Sequence, residues 1–142
     1  MGVMNIELQT SQVEAIQSEL EAINLEITST QSIANLIDLG GRLSAHLAFT
    51  GQQMAIAKKV WRKEVSKAYD SFVFSRMSQG LTVPPSMAKD YVQARAGEQE
   101  GTYEFIERVH RSCTHIIDFL RSCISALKEE QKVFTLSGFN IP

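Results

Sequence analysis

Residues 102–134 read TYEFIERVHRSCTHIIDFLRSCISALKEEQKVF, and this stretch decides the fold. Ile106, Val109, Cys113, Ile116, Leu120, Cys123 and Leu127 recur at steps of three and four. That alternation keeps all of them on one side of an α-helix. Phe105, Ile117 and Ile124 widen the stripe beyond a narrow two-helix seam. A helix so apolar on one side must bury that side, so the rest of the chain is read as its cover.

Upstream, Val13, Ile16, Leu20, Ile23 and Ile27 form a second heptad-like seam, with Thr10 and Ser11 as N-cap candidates and Glu14 at capping-box distance from Ser11. A polar patch from Thr28 to Ser32 follows, and Ile33, Leu36, Ile37 and Leu39 resume the apolar signal. The spacing predicts a helix over about 7–39. Gly40-Gly41 is its expected end, since two glycines inside a helix cost about 2 kcal/mol relative to alanines. The competing reading is one continuous helix with a small-residue stripe at Gly41, Ser44, Ala48, Gly51 and Ala55.

A second helix is expected over about 42–77, with Leu47, Met54, Trp61, Val65, Ala68 and Phe72 on its apolar face and Tyr69 and Val73 beside it. Gly80 suits a helix C-cap, and Pro84-Pro85 stops any continuation, so 78–86 is a turn. Ser86 is placed to cap the last helix, about 86–133. That helix starts with Met87, Tyr91 and Ala94 as apolar positions and is weakened at Ala96-Gly97 and Gly101. Residues 134–142 are read as a tail. The expected fold is all-α: a long hairpin or bundle of about three helices in one domain, coiled-coil-like and oligomeric, because the stripe at 102–134 is too broad for one partner helix.

At 142 residues the chain is long enough for one self-sufficient domain, and 44% hydrophobic with 21% charged residues is ordinary for a globular protein. A net charge of −2 gives no global argument for nucleic acid or membrane, but the charge is unevenly placed. Residues 1–57 hold six acids (Glu7, Glu14, Glu19, Glu21, Glu26, Asp38) and one base, Arg42. Residues 58–76 hold six bases (Lys58, Lys59, Arg62, Lys63, Lys67, Arg76) and two acids, Glu64 and Asp70. Pairing of an acidic helix with a basic one, within or between subunits, is the blandest account. The sharper one is a polyanion-binding row, Lys58, Lys59, Arg62, Lys63 and Lys67, with Trp61 and Tyr69 as stacking candidates.

Cys113 and Cys123 are ten apart on one helix, about 15 Å of rise, and cannot pair with each other. Both read as small buried hydrophobes in a reducing compartment. No segment has the apolar length of a membrane span, and the first residues, MGVMNIELQT, do not form a secretory signal. Glu107-x-x-His110 has di-iron spacing, and His110, Cys113 and His115 hint at zinc, but neither has the further ligands such sites need; His46 stands apart. There is no nucleophile motif and no phosphate loop. The expectation is a non-enzyme without metal or cofactor.

In layout the chain resembles a loose class of small helical proteins from phage and prophage early regions. The resemblance lies in a helical first half, a basic patch before a proline turn, and a terminal helix closing on Asp118-Phe119-Leu120-Arg121 and Ser125-Ala126-Leu127-Lys128-Glu129. It transfers no catalytic residue. It implies a cytoplasmic helper protein, in the host cytoplasm if phage-encoded, acting on nucleic acid in replication or recombination. The alternatives are counter-defence, by sequestering a signalling nucleotide between subunits or blocking a host protein, and a purely structural assembly role.

Overall fold

A computed structural model describes residues 7–139, with side chains as far as residue 136. Among the described residues it is all-helical: α1 Thr10–Ser29, α2 Ile33–Ser78 and α3 Pro85–Phe139. The two apolar seams behave as their spacing requires. Val13, Ile16, Leu20, Ile23 and Ile27 are all buried on α1. On α3, Ile106, Val109, Cys113 and Leu120 are buried, while Ile116, Cys123 and Leu127 are half-buried.

The first break falls at Thr30–Ser32, not at Gly40-Gly41. Thr28 and Ser29 turn their hydroxyls back to the carbonyls of Leu25 and Glu26. Such local bonds offer the backbone an alternative to continued helix. Ser32 then caps α2, its hydroxyl accepting the Asn35 N–H at 3.2 Å. Thr30 Oγ1 accepts from both the Ser32 N–H and Asn35 Nδ2, which fixes the turn. The polar patch therefore holds the turn expected of the glycines.

α2 runs unbroken through Gly40 and Gly41 because packing outweighs propensity there. A Cβ on Gly40 would lie 3.0 Å from Leu120 Cδ2, so the absent side chain is what lets α3 lie so close. Gly41 has no such role: a Cβ there would meet nothing within 4 Å.

α2 ends in a Schellman turn. Gly80 has φ +68°, Gly80 N–H bonds the Met77 carbonyl at 3.0 Å, and Leu81 N–H bonds that of Arg76 at 2.9 Å. Arg76 Nε also donates to the Thr82 carbonyl at 2.8 Å, tying the turn to the helix it leaves. α3 starts at Pro85, one residue before Ser86. Pro84 supplies the first carbonyl, to the Ala88 N–H at 3.1 Å, and Pro85 takes the first helical position, where no N–H is needed. At its far end α3 continues to Phe139, so 134–139 is helix rather than tail; residues 140–142 lie outside the description. Met87 and Ala94 are exposed, and the buried early positions are Ala88 and Ala96, one and two residues further on.

The chain, read from sequence as one domain, divides into two compact units. One comprises Gly51–Arg108 with the described residues up to Thr10; the other comprises Ser11–Thr50 with α3 from Val109. In the second unit, α2 and α3 are antiparallel: Gly40 meets Leu120 and Thr50 meets His110. In the first, Trp61 stacks on Tyr103 with ring centroids 5.6 Å apart, and Phe72 meets Tyr91 at 5.0 Å.

These two glycine environments and the turn glycine predict three different responses to alanine. Gly41→Ala should stabilise the full chain by about 1 kcal/mol in urea unfolding, through helix propensity alone. Gly40→Ala should give less than that gain, or a loss, because Leu120 must move. Gly80→Ala should destabilise by about 1 kcal/mol, the cost of a left-handed Cβ. Equal effects at Gly40 and Gly41 would contradict the packing account.

Candidate polyanion-binding face

The core side of α2 in the first unit carries Gln53, Ala57, Ala68 and Phe72, all buried. Helical geometry then turns the intervening bases outward. Lys59, Arg62, Lys63 and Lys67 are exposed, and Lys58 is half-buried at the flank. Lys58–Arg62–Ser66 and Lys59–Lys63–Lys67 are two neighbouring rows at i, i+4 spacing. From Lys58 to Lys67 the helix rises about 13 Å.

Among the described residues, no acid of the first half forms an ion pair with these bases. Glu19 accepts a hydrogen bond from Arg42 and lies 2.8 Å from His46 Nε2, all within the second unit. Glu26 is 4.0 Å from Arg42. Among the described residues, one ion pair lies on the basic face, Lys67 to Glu64, at 3.7 Å on the same helix. The remaining four bases make no ion pair among the described residues, so the intramolecular version of acidic-with-basic helix pairing does not occur there.

The two aromatic candidates separate. Trp61 is half-buried, with one indole face covered by Tyr103. Tyr69 is 49% exposed and borders a cleft of about 600 Å³ within the first unit. α2 lines the cleft with Val65, Ser66, Tyr69 and Asp70. The opposite wall carries Val83, Ala88, Lys89, Val92 and Gln93. Its apolar floor and polar rim could not be read from spacing along one helix, because the walls lie on either side of the proline turn.

Two buried polar residues lie on the α2 core stripe. Thr50 is fully buried in the second unit; its hydroxyl lies 2.8 Å from the His46 carbonyl and 3.0 Å from His110 Nδ1. Cys113, a free thiol like Cys123, is pushed up in pKa by burial, an effect that a hydrogen bond with Thr50 opposes. That makes it a poor nucleophile. In the first unit, fully buried Gln53 accepts the Gln9 N–H at 2.6 Å and donates to the Glu7 carbonyl at 3.4 Å. Their signal was available: Leu36, Leu39, Leu43, Thr50, Gln53 and Ala57 share the helical spacing of one stripe. Among the described residues no three His, Cys, Asp or Glu side chains gather where they could hold a metal ion. No described helix is long and apolar enough to cross a membrane.

Comparison with protein-family models, curated proteins and solved structures gave no match to this chain.

The Arg42 hydrogen bond holds the Glu19 carboxyl below its ordinary 4.5, against the opposing effect of burial, with His46 adding to the lowering. A carboxyl whose folded pKa is depressed contributes its full stability above the unfolded value and loses it as pH falls through the folded one. Glu19→Gln should therefore flatten the stability profile below about pH 4.5, and cost at most about 1 kcal/mol at neutral pH because the pair is solvent-screened. An acid limb unchanged in chemical unfolding from pH 3 to pH 6 would overturn this. Thr50→Val, which removes the buried hydroxyl, should cost about 1 kcal/mol, and Thr50→Ser should restore most of it.

Proposed function

We propose that this chain is a non-enzymatic binding protein of phage type that engages a polyanion, most simply nucleic acid handled in replication or recombination. The observation that carries the reading is the exposed face of Lys59, Arg62, Lys63 and Lys67 with Lys58 at its flank, four of these five bases being without a carboxylate partner among the described residues. Bases held on one rigid helix face meet phosphates with little further ordering cost, and release of the counterions condensed on nucleic acid drives the association. An extended row suits an extended ligand; a small signalling nucleotide would need the bases to converge instead.

Affinity for nucleic acid should fall steeply with salt in an anisotropy titration. Replacing Lys59, Lys63 and Lys67 together by alanine should lower affinity at least tenfold and reduce the slope of log K against log salt by about 2–3. Lack of binding by the full chain at low salt would sink the proposal.

A second reading, self-assembly, is favoured by a separate observation in the other unit. The α3 seam continues seven residues beyond Leu127 to Phe134, which is 80% exposed, beside exposed Val133 and Leu136. We infer that a second copy covers this end in an oligomer of coiled-coil type. Light scattering should show an oligomer that Phe134→Glu dissociates; a monomer across the micromolar range would remove the idea.

A further inference from the structure

The cleft beside Tyr69 is not needed to hold phosphates, yet the basic face leads into it. Ser66 follows Lys58 and Arg62 at i+8 and i+4, and Asp70 follows Lys67 at i+3. Both Ser66 and Asp70 line the cleft. Those steps place the rim of the cleft about one helical turn, roughly 5 Å, from the nearest bases of each row. A chain of phosphates lying on the rows would therefore bring its next residue to Tyr69.

We propose that this cleft receives an unpaired nucleobase, so that the polyanion recognised here is single-stranded nucleic acid. The proposal rests on the polyanion reading of the basic face. Three features of the cleft fit a base. Its volume of about 600 Å³ is that of a small-molecule pocket, large enough for a flat heterocycle. Its floor is apolar, from Val65, Ala88 and Val92, as the faces of a base require. Tyr69 stands half-exposed at its edge with ring surface to offer, whereas Trp61 has given one face to Tyr103. At the rim Gln93 can both donate to and accept from a base edge. Asp70 can accept from an exocyclic amine, and Lys89 on the facing wall can donate to a ring nitrogen or carbonyl. The apolar floor, rather than charge, suits a base to the cleft, while the rows supply the phosphate contacts.

A duplex cannot satisfy this arrangement cheaply. Its bases have both faces stacked and their pairing edges occupied, and bringing one out costs a few kcal/mol. A single strand presents free faces, and stacking one base on an aromatic ring changes affinity by about tenfold.

The test is anisotropy at low salt with the full chain and three labelled probes of equal length: a single strand, a duplex, and an abasic single strand that keeps the phosphates and lacks the bases. The single strand should bind about tenfold more tightly than the abasic strand, and more tightly than the duplex. Tyr69→Ala should abolish the advantage over the abasic strand, while Tyr69→Phe, which keeps the ring, retains it. The abasic comparison needs no variant, so it stands even if Tyr69→Ala lowers helicity in circular dichroism. Equal binding of the three probes, still weakened by the lysine-to-alanine replacements, overturns the base site, leaves the phosphate face intact and gives the cleft to a peptide or a second copy. Absence of binding to all three probes overturns both.

Discussion

Leu120 comes so close to the α2 backbone at Gly40 that an added methyl carbon would lie 3.0 Å from its Cδ2. Helix axes are held apart by the side chains at their crossing, and a glycine there removes one layer of them. Once that spacing is set, the antiparallel register of the unit follows. Ten residues forward from Gly40 on α2 is Thr50, and ten back from Leu120 on α3 is His110; these two meet. A hydroxyl and an imidazole nitrogen 3.0 Å apart tolerate little slippage, so an apolar approach and a polar contact fix one alignment between them.

That approach also explains what sequence reading reached and what it missed. The α1 seam and the α3 seam were legible because every one of their positions is apolar and each lies on a single helix. The passage of α2 through Gly40 and Gly41 was less so. Glycine's helix cost is a property of the isolated segment, and the gain that offsets it comes from Leu120, eighty residues away in sequence. The true break was visible only as a polar run, whose hydroxyls act through geometry that composition does not specify. Polarity alone does not mark Thr50 and Gln53 as core residues; each is buried because its hydrogen bonds are satisfied. As for the candidate site, the basic residues stand out in the sequence, but the absence of a carboxylate partner for Lys58, Lys59, Arg62 and Lys63 among the described residues, and the cleft beside Tyr69, arise only when α3 folds back across the proline turn.

The placement of charge has its own logic. A net charge of −2 suggests indifference to other charged molecules, but it is the sum of an acid-rich first part, a base-rich middle and a nearly balanced remainder. Glu19 is engaged by Arg42 and His46 within one unit, and Lys67 by Glu64 within the other. Exposed charges more than about 8 Å apart are largely screened at physiological salt. An incoming anion therefore responds to the local face rather than to the sum, and net charge is a poor guide to what this protein can attract.

Gln53 divides mutational tolerance unevenly between two segments that touch. It holds residues 7 and 9 by their main chain, through the Gln9 N–H and the Glu7 carbonyl, and touches neither side chain through these bonds. Any residue but proline can supply that N–H at position 9, and any residue at all the carbonyl at position 7. The grip is thus indifferent to the identity of the segment it holds. Position 53 has no such latitude, since a shorter or apolar side chain would leave both backbone groups without their buried partner. Random substitution should therefore drift freely at 7 and 9 while returning glutamine at 53.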